Sequence, residues 1–161
     1  MEPMEKETYP IPEWSHKSWV NQDEYRELYR KSIEQNDEFW SEQAEQLSWF
    51  EHWHQVKDIN FQAPVKIQWF IGGKLNVSVN CLDRHLATRR DQVAFIWEPE
   101  DLQRDQIKSF TFQQVHEHVC RLANGLKSLG VKKGDRVTIY LPMIPEAVFS
   151  MLACARIGAI H

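Results

Sequence analysis

No apolar run in this sequence approaches the roughly 20 residues that a membrane-spanning helix requires. The amino-terminal stretch Met1-Glu2-Pro3-Met4-Glu5 has neither a cationic n-region nor an apolar h-region, so it does not read as a secretory leader. Lys and Arg total 19 against 23 Asp and Glu, for a net charge of -4. The two signs are interspersed, which leaves no basic footprint for nucleic acid or an anionic membrane. Cysteine is scarce: Cys81, Cys120 and Cys154 are odd in number, widely spaced and without a C-x-x-C pair, which argues against a disulfide framework and a cysteine-based zinc site. The expectation is reduced, buried thiols in a soluble, cytoplasmic protein.

What is plentiful is tryptophan. All seven lie before position 100 (Trp14, Trp19, Trp40, Trp49, Trp53, Trp69 and Trp97), where the patterning is least regular. Large rings bury much area for little lost entropy, so they suit a segment whose irregular backbone must be pinned to a core. A stacking platform for sugars or bases is disfavoured, because no basic residues interleave with the rings. At 161 residues the chain has the length of one ordinary domain and can bury a core without disulfides or metal.

Residues 1–20 are polar and interrupted by Pro3, Pro10 and Pro12, which predicts an extended arm. Asn21 followed by Glu24 has capping-box spacing, and Tyr25, Leu28, Tyr29 and Ser32 then share one face, predicting a helix to about Ser32. Asn36 or Asp37 is placed to cap a second helix whose apolar stripe, Phe39, Trp40, Ala44 and Leu47, continues loosely to Trp53. Ile67, Trp69 and Ile71 alternate with Gln68 and Phe70, and Gly72-Gly73 permits a tight reversal, so a short strand and turn are expected from Lys66 to Leu75. Helical spacing of Val79, Cys81, Leu82 and Leu86 follows, then a β-run from Gln92 to Trp97; Pro99 and the charged stretch to Gln106 mark a surface loop.

Ile107–Phe110 reads as a strand. Thr111 with Gln114 makes a capping box, and Val115, Val119, Leu122, Leu126 and Leu129 form a helical stripe ended by Gly130. After the turn Lys132-Lys133-Gly134-Asp135, the β-branched segment Arg136–Leu141 predicts a strand. Pro145 opens a last helix carrying Val148, Phe149, Met151, Leu152 and Ala155 to Gly158, and Ala159-Ile160 begins what should be another strand. This alternation predicts an α/β fold with a parallel sheet whose final crossover is unfinished, leaving a sheet edge and an apolar helix face without cover.

Trp69-Phe70-Ile71-Gly72-Gly73-Lys74-Leu75-Asn76-Val77-Ser78, with Asn80-Cys81-Leu82-Asp83-Arg84-His85, closely resembles a segment of the AMP-forming acetyl-CoA synthetase family. Tyr29, Ser32-Ile33, Phe39-Trp40 and Trp49-Phe50 resemble that family's N-terminal cap in register. Leu122-Ala123-Asn124-Gly125-Leu126, Gly134-Asp135-Arg136-Val137 and Leu141 to Glu146, on through Arg156-Ile157-Gly158-Ala159, are similar to the opening of the wider AMP-binding adenylating superfamily. The resemblance runs from Tyr25 to His161. It implies an arm at 1–20, a helical, Trp-rich N-terminal cap at 21–90, and at 91–161 the truncated start, in β-α-β-α units, of an acyl-CoA-synthetase-like large domain.

The resemblance also implies chemistry for the intact protein. A carboxylate, here acetate, attacks the α-phosphate of ATP to give acetyl-adenylate and pyrophosphate, and the CoA thiol then displaces AMP. ATP, CoA and Mg2+ are the implied cofactors, the small-molecule substrates are the implied partners, and the remainder of the chain is a further partner. The Ser/Thr/Gly-rich phosphate loop, the ribose acid, the magnesium ligand and the C-terminal lysine do not occur in this sequence, and the phosphate loop and CoA-side segment are expected after His161. No catalytic, cofactor-binding or metal residue is therefore assigned; none of these ligands is expected to bind this stretch alone, and it is expected to be inactive. A propionyl-CoA or other short-chain synthetase and a non-catalytic module on a truncated scaffold are the alternatives.

Several residues invite a functional reading and are better explained structurally. Gly72-Gly73-Lys74 lacks the G-x-x-x-x-G-K-[ST] spacing and reads as a turn. His52/His54 and His116/His118 would place each pair on different faces of a helix, whereas metal pairs usually use i, i+4. Asp83, Arg84 and His85 point in different directions if helical, which suits caps and salt links. Pro142–Pro145 follows a strand end, where parallel sheets bind ligands, but offers no titratable group before Glu146 and reads as a stiff turn. Lys132-Lys133 reads as a solvated turn.

Overall fold

The computed structural model describes residues 12, 15, 17–101 and 106–161. Most of the arm expected at 1–20, and residues 102–105 of the expected charged loop, lie outside the described residues. The chain forms two compact units, residues 1–44 and 45–161.

In the first unit, α1 spans Gln22–Glu34, two residues beyond the expected end. The Asn21 side chain accepts the backbone N–H groups of Asp23 and Glu24, and the Glu24 carboxylate accepts the Asn21 N–H at 2.8 Å; both halves of the capping box are made. α2 spans Asn36–Ala44. The Asn36 amide donates to the Ser32 carbonyl at 2.7 Å, and Lys31 joins the helices by donating to both oxygens of Glu42 at 2.8 Å. The stripe expected to run on to Trp53 stops with the helix.

The second unit opens with a hairpin that the sequence reading lacked half of. β1 (Gln55–Asn60) pairs antiparallel with β2 (Lys66–Ile71), from Gln55 opposite Ile71 to Asn60 opposite Lys66, and the connection contains a cis Ala63–Pro64 bond. In β1 only Val56 and Ile59 are apolar and they do not alternate, so no period-2 signal marks it; β2 supplies its register. Gly72 has φ +84°, and a Cβ there would lie 2.5 Å from His54 Nδ1, so the turn requires glycine. Trp49, Trp53 and Phe70 form one ring cluster beside it, with centroids 4.9–5.6 Å apart. That is the pinning role expected of the aromatics, but Trp19 is exposed, and Trp40 keeps an exposed side while meeting Phe39 edge-on.

The helical stretch after Ser78 is a five-residue π-helix, Val79–Asp83, continued by α3 (Arg84–Arg89). β3 (Val93–Trp97) pairs antiparallel with β4 (Lys108–Thr111), with an irregularity between Val93 and Phe95. Glu98, Glu100, Asp101 and Gln106 are exposed, as expected of a surface loop after β3, but Pro99 within that segment is buried.

Thr111 and Gln114 complete the second capping box, and α4 runs over Phe112–Ser128. Its end is a Schellman motif: Val131 N–H donates to the Leu126 carbonyl and Gly130 N–H to that of Lys127, with Gly130 at φ +91°. α5 spans Pro145–Ile157, starting on Pro145 and stopping at left-handed Gly158. Val115, Val119 and Ala123 of α4, Phe149 and Ala153 of α5, and Leu82 of the π-helix make the core, with Phe95, Phe110, Leu122 and Leu126 packed on it. Leu129, expected on the same stripe, is 82% exposed, because it is the cap residue where the chain leaves the helix. The thiols are likewise not all buried: Cys154 is buried, Cys120 half-buried and Cys81 exposed.

The fold is mixed α/β, but its pairing departs from the expected alternation. β4 takes an antiparallel partner, and among the described residues parallel pairing is confined to one bridge, Arg136 with Ile160, in which Val137 N–H donates to the Ile160 carbonyl and Ile160 N–H to that of Asp135, each at 2.8 Å. Beyond that bridge the predicted strand Arg136–Leu141 joins no ladder among the described residues. Cavities of about 520 and 360 Å³ flank it, and Tyr140 is 99% exposed. No helix among the described residues is long and apolar enough to cross a membrane.

Candidate functional site

Polar chemistry in the second unit gathers where the π-helix, α4 and α5 meet. Arg156 is one of two charged residues in the otherwise apolar α5. Its guanidinium grips Asp83 through two hydrogen bonds of 2.7 Å, and lies 3.4 Å from the Ser78 hydroxyl and 3.3 Å from His116 Nε2. His116 Nε2 is also 3.4 Å from Asp83 and 3.5 Å from Cys120 Sγ. The hydrogen bond from Arg156 holds the Asp83 carboxyl below its ordinary range against the opposing effect of burial, and the same contact raises the guanidinium. Fork-to-carboxylate geometry of this kind is the strong form of the pair. Asn76 adds a second tie, donating to the carbonyls of Ala155 and Arg156 at 3.0 and 3.1 Å and so satisfying the end of α5.

Beside this cluster a cavity of about 470 Å³ opens between the last turns of α4 and α5. Its wall carries Lys127, Lys132, Lys133 and Arg156, with the Cys120 thiol and the Asn124 amide; no acidic residue lines it.

The residues singled out in the sequence do not converge. Of the Asp83-Arg84-His85 run, Asp83 joins Arg156, Arg84 donates to the Gln46 carbonyl at 2.8 Å and the Asn80 side chain at 3.0 Å, and His85 packs on Phe112. His116 enters the polar cluster, while His118 stacks on Phe149 with centroids 4.6 Å apart. His52 and His54 are not on a helix; they lie in the segment before β1, where His52 is 3.8 Å from Glu45. Lys74 pairs with Glu51 across the turn. At Pro142–Pro145 the Met143 carbonyl accepts Trp97 Nε1–H at 2.8 Å, and Pro145 is buried. Among the described residues no group of three or more His, Cys, Asp or Glu side chains is placed to hold a metal ion.

The Asp83–Arg156–His116 cluster escaped sequence reading because its members are separated by 40 and 73 residues. Arg156 within an apolar helix was the one visible signal, since a cation there needs a partner.

Comparison with known proteins places these features in context. The profile described as "Acetyl-coenzyme A synthetase N-terminus" matches residues 25–81, and that described as "AMP-binding enzyme" matches residues 82–161. The acetyl-coenzyme A synthetase of Bdellovibrio bacteriovorus is 51% identical over 159 residues, covering 98% of this chain and 24% of that protein. That of Syntrophus aciditrophicus is 53% identical over 154 residues, covering 95% and 24%. Among solved structures, acetoacetyl-CoA synthetase from Streptomyces lividans superposes with a TM-score of 0.73 at 30% identity, covering 91% of this chain and 22% of that one. The chain thus spans about a quarter of the length of the curated relatives it matches.

Proposed function

The chain belongs to the acetyl-CoA synthetase family within the AMP-binding enzymes, and on that premise we propose that it is the N-terminal part of an AMP-forming acetate:CoA ligase. In this reading the intact enzyme converts acetate, ATP and CoA to acetyl-CoA, AMP and pyrophosphate through acetyl-adenylate, in the cytoplasm, with ATP and CoA as nucleotide ligands and Mg2+ on the phosphates. Residues 21–90 form the cap and residues 91–161 the opening of the AMP-binding domain. The observation that carries the reading is identity of about half over nearly the whole chain to proteins named for this activity.

The geometry supports a scaffolding role for this part. The segment from Arg136 to Leu141 has one parallel bridge, and the flanking cavities are lined by Val137, Thr138 and Ile139 with apolar neighbours from α4 and α5. Unpaired N–H and C=O groups along an extended segment favour added strands, and parallel sheets are covered on both faces. The polar cluster and the Asn76 tie fix the end of α5, from which the chain turns back to pair at Ile160. We assign none of the reacting groups to these 161 residues. The G-x-x-x-x-G-K-[ST] spacing of a phosphate loop does not occur in these residues.

Acetate-dependent release of pyrophosphate and AMP by the longer protein, with acetyl-CoA formed only when CoA is added, is the expected result, alongside no turnover by residues 1–161 alone. Preference for propionate would move the assignment to another short-chain synthetase; the solved acetoacetyl-CoA synthetase carries a related fold, so acyl choice is decided by this assay. Absence of any carboxylate-dependent pyrophosphate release would leave the non-catalytic module.

A further inference from the structure

Resting on the ligase reading above, we propose that Asn76, Asp83 and Arg156 are positioning residues for its reaction, acting through residues 159–161 on the chain that follows them in the longer protein. Asn76 falls within the stretch matched by the N-terminal profile, and Asp83 and Arg156 within that matched by the AMP-binding profile. Their contacts join the two stretches across 73 to 80 residues of sequence. The N-terminal region thereby holds a fixed point of the domain that carries the chemistry.

The end of α5 is held from two sides. On one, the Asn76 amide donates to the carbonyls of Ala155 and Arg156, its Oδ1 accepts the Val79 N–H at 3.3 Å, and its carbonyl accepts the Asn80 N–H at 3.1 Å. One residue thus satisfies the last turn of α5 and the first turn of the π-helix together. On the other, Asp83 takes both arms of the Arg156 guanidinium at 2.7 Å, which fixes orientation as well as distance. Both charged groups are half-buried, so solvent and salt weaken the pair less than an exposed bridge.

No slack separates this clamp from the sheet. Ala159 N–H donates to the Cys154 carbonyl at 2.9 Å, the Gly158 carbonyl accepts Gly134 N–H at 2.9 Å, and Ile160 uses both its backbone groups, on Asp135 and Val137, at 2.8 Å. Gly158 makes the turn at φ +74°, and a Cβ there would come within 2.9 Å of Lys133 Cγ. A displacement at Arg156 is therefore carried to Ile160 rather than absorbed on the way. The Arg136–Ile160 bridge is parallel, and parallel α/β sheets bind their ligands beyond the carboxyl ends of the strands. In the longer protein the chain leaving His161 starts at such an end. A misplacement of about 1 Å among reacting groups can cost about 100-fold in rate.

The test measures acetate-dependent pyrophosphate release and acetyl-CoA formation by the longer protein, with amide exchange followed in the same variants. Asn76→Ala and Asp83→Asn should each lower kcat about tenfold while KM for ATP and for acetate stays within about threefold, the pattern of lost transition-state geometry rather than lost binding. Asp83→Glu keeps a carboxylate for Arg156 and should recover most of the loss. Ser78→Ala removes only a 3.4 Å contact with Arg156 and should change kcat less than about twofold. The control is Phe95→Leu, at a ring that packs on Phe110 and Phe149, which lowers the thermal midpoint without touching the clamp. In Asn76→Ala, amide protection should fall at Val137, Ala159 and Ile160 and be retained at Val115 and Val119. Unchanged kcat in both Asn76→Ala and Asp83→Asn, an equal loss in Phe95→Leu at a matched distance below its midpoint, or retained protection at Ile160 would overturn the proposal. A parent protein that releases no pyrophosphate with any carboxylate would sink the ligase reading and this role together, whereas a parent that turns over with clamp variants equal to it would sink this role alone.

Discussion

α1 and α4 are written by the same local code and meet different fates. Each begins with a complete capping box, Asn21 with Glu24 and Thr111 with Gln114, and each gathers its apolar residues on one face. α4 buries Val115, Val119 and Ala123, whereas α1 has no buried residue, and Tyr25, Leu28, Tyr29 and Ile33 are exposed. Caps and periodicity thus specify where a helix starts and which side is apolar. Stabilisation by burial depends on whether another element covers that side, and at about 25 cal/mol per Å² this outweighs any cap.

The comparison is most strongly tested by truncating one apolar side chain in each region. Phe149→Ala removes a ring that packs on Phe95, Phe110 and His118 and should cost about 3–4 kcal/mol in urea unfolding. Leu28→Ala on α1, already 40% exposed, should cost less than about 1 kcal/mol; comparable losses would break the contrast.

A smaller effect is expected at the ion pair that ties the π-helix to α5. Asp83→Asn leaves Arg156 without its charge partner and should cost about 2 kcal/mol near neutrality, less than a fully buried pair because both groups retain some solvent. The sign of its pH dependence follows from a carboxyl depressed in the folded state by Arg156. Its contribution is fully present above the ordinary aspartate value of about 3.9 and is lost as pH falls through the lower folded value. Unfolding curves of the parent and variant should therefore converge towards acid, and a gap that is constant or widens as pH falls would contradict the arrangement.

Smallest are the caps. Thr111→Ala should lower the unfolding free energy by about 1 kcal/mol, because the α4 it starts is part of the core. Asn21→Ala removes an equivalent cap from α1 and should show as faster amide exchange in residues 22–25 with little change in the midpoint of the second unit. A large midpoint shift from Asn21→Ala would show α1 to be as deeply integrated as α4.

The parts legible in the sequence were those with local causes. Both capping boxes, the glycine stops at Gly130 and Gly158, the Pro145 start and the Gly72-Gly73 turn each stand where the residue types require. β1 was not legible because its mostly polar strand has no alternation and owes its conformation to pairing with β2. Pro99 was misplaced for a related reason: a residue type common in exposed turns is buried here by what surrounds it. The polar cluster was invisible because Ser78, Asp83, His116 and Arg156 are brought together by three separate elements, and sequence spacing carries no record of that.

By itself the sequence determined the starts of α1, α4 and α5, the mixed α/β class and, through its motifs, the family, because caps, periodicity and residue strings act over a few neighbouring positions. Only the tertiary structure decided that β3 and β4 pair antiparallel and that Arg156 finds Asp83. Those outcomes depend on which distant surfaces meet, and the free energy that selects them comes from burial and charge pairing between segments tens of residues apart.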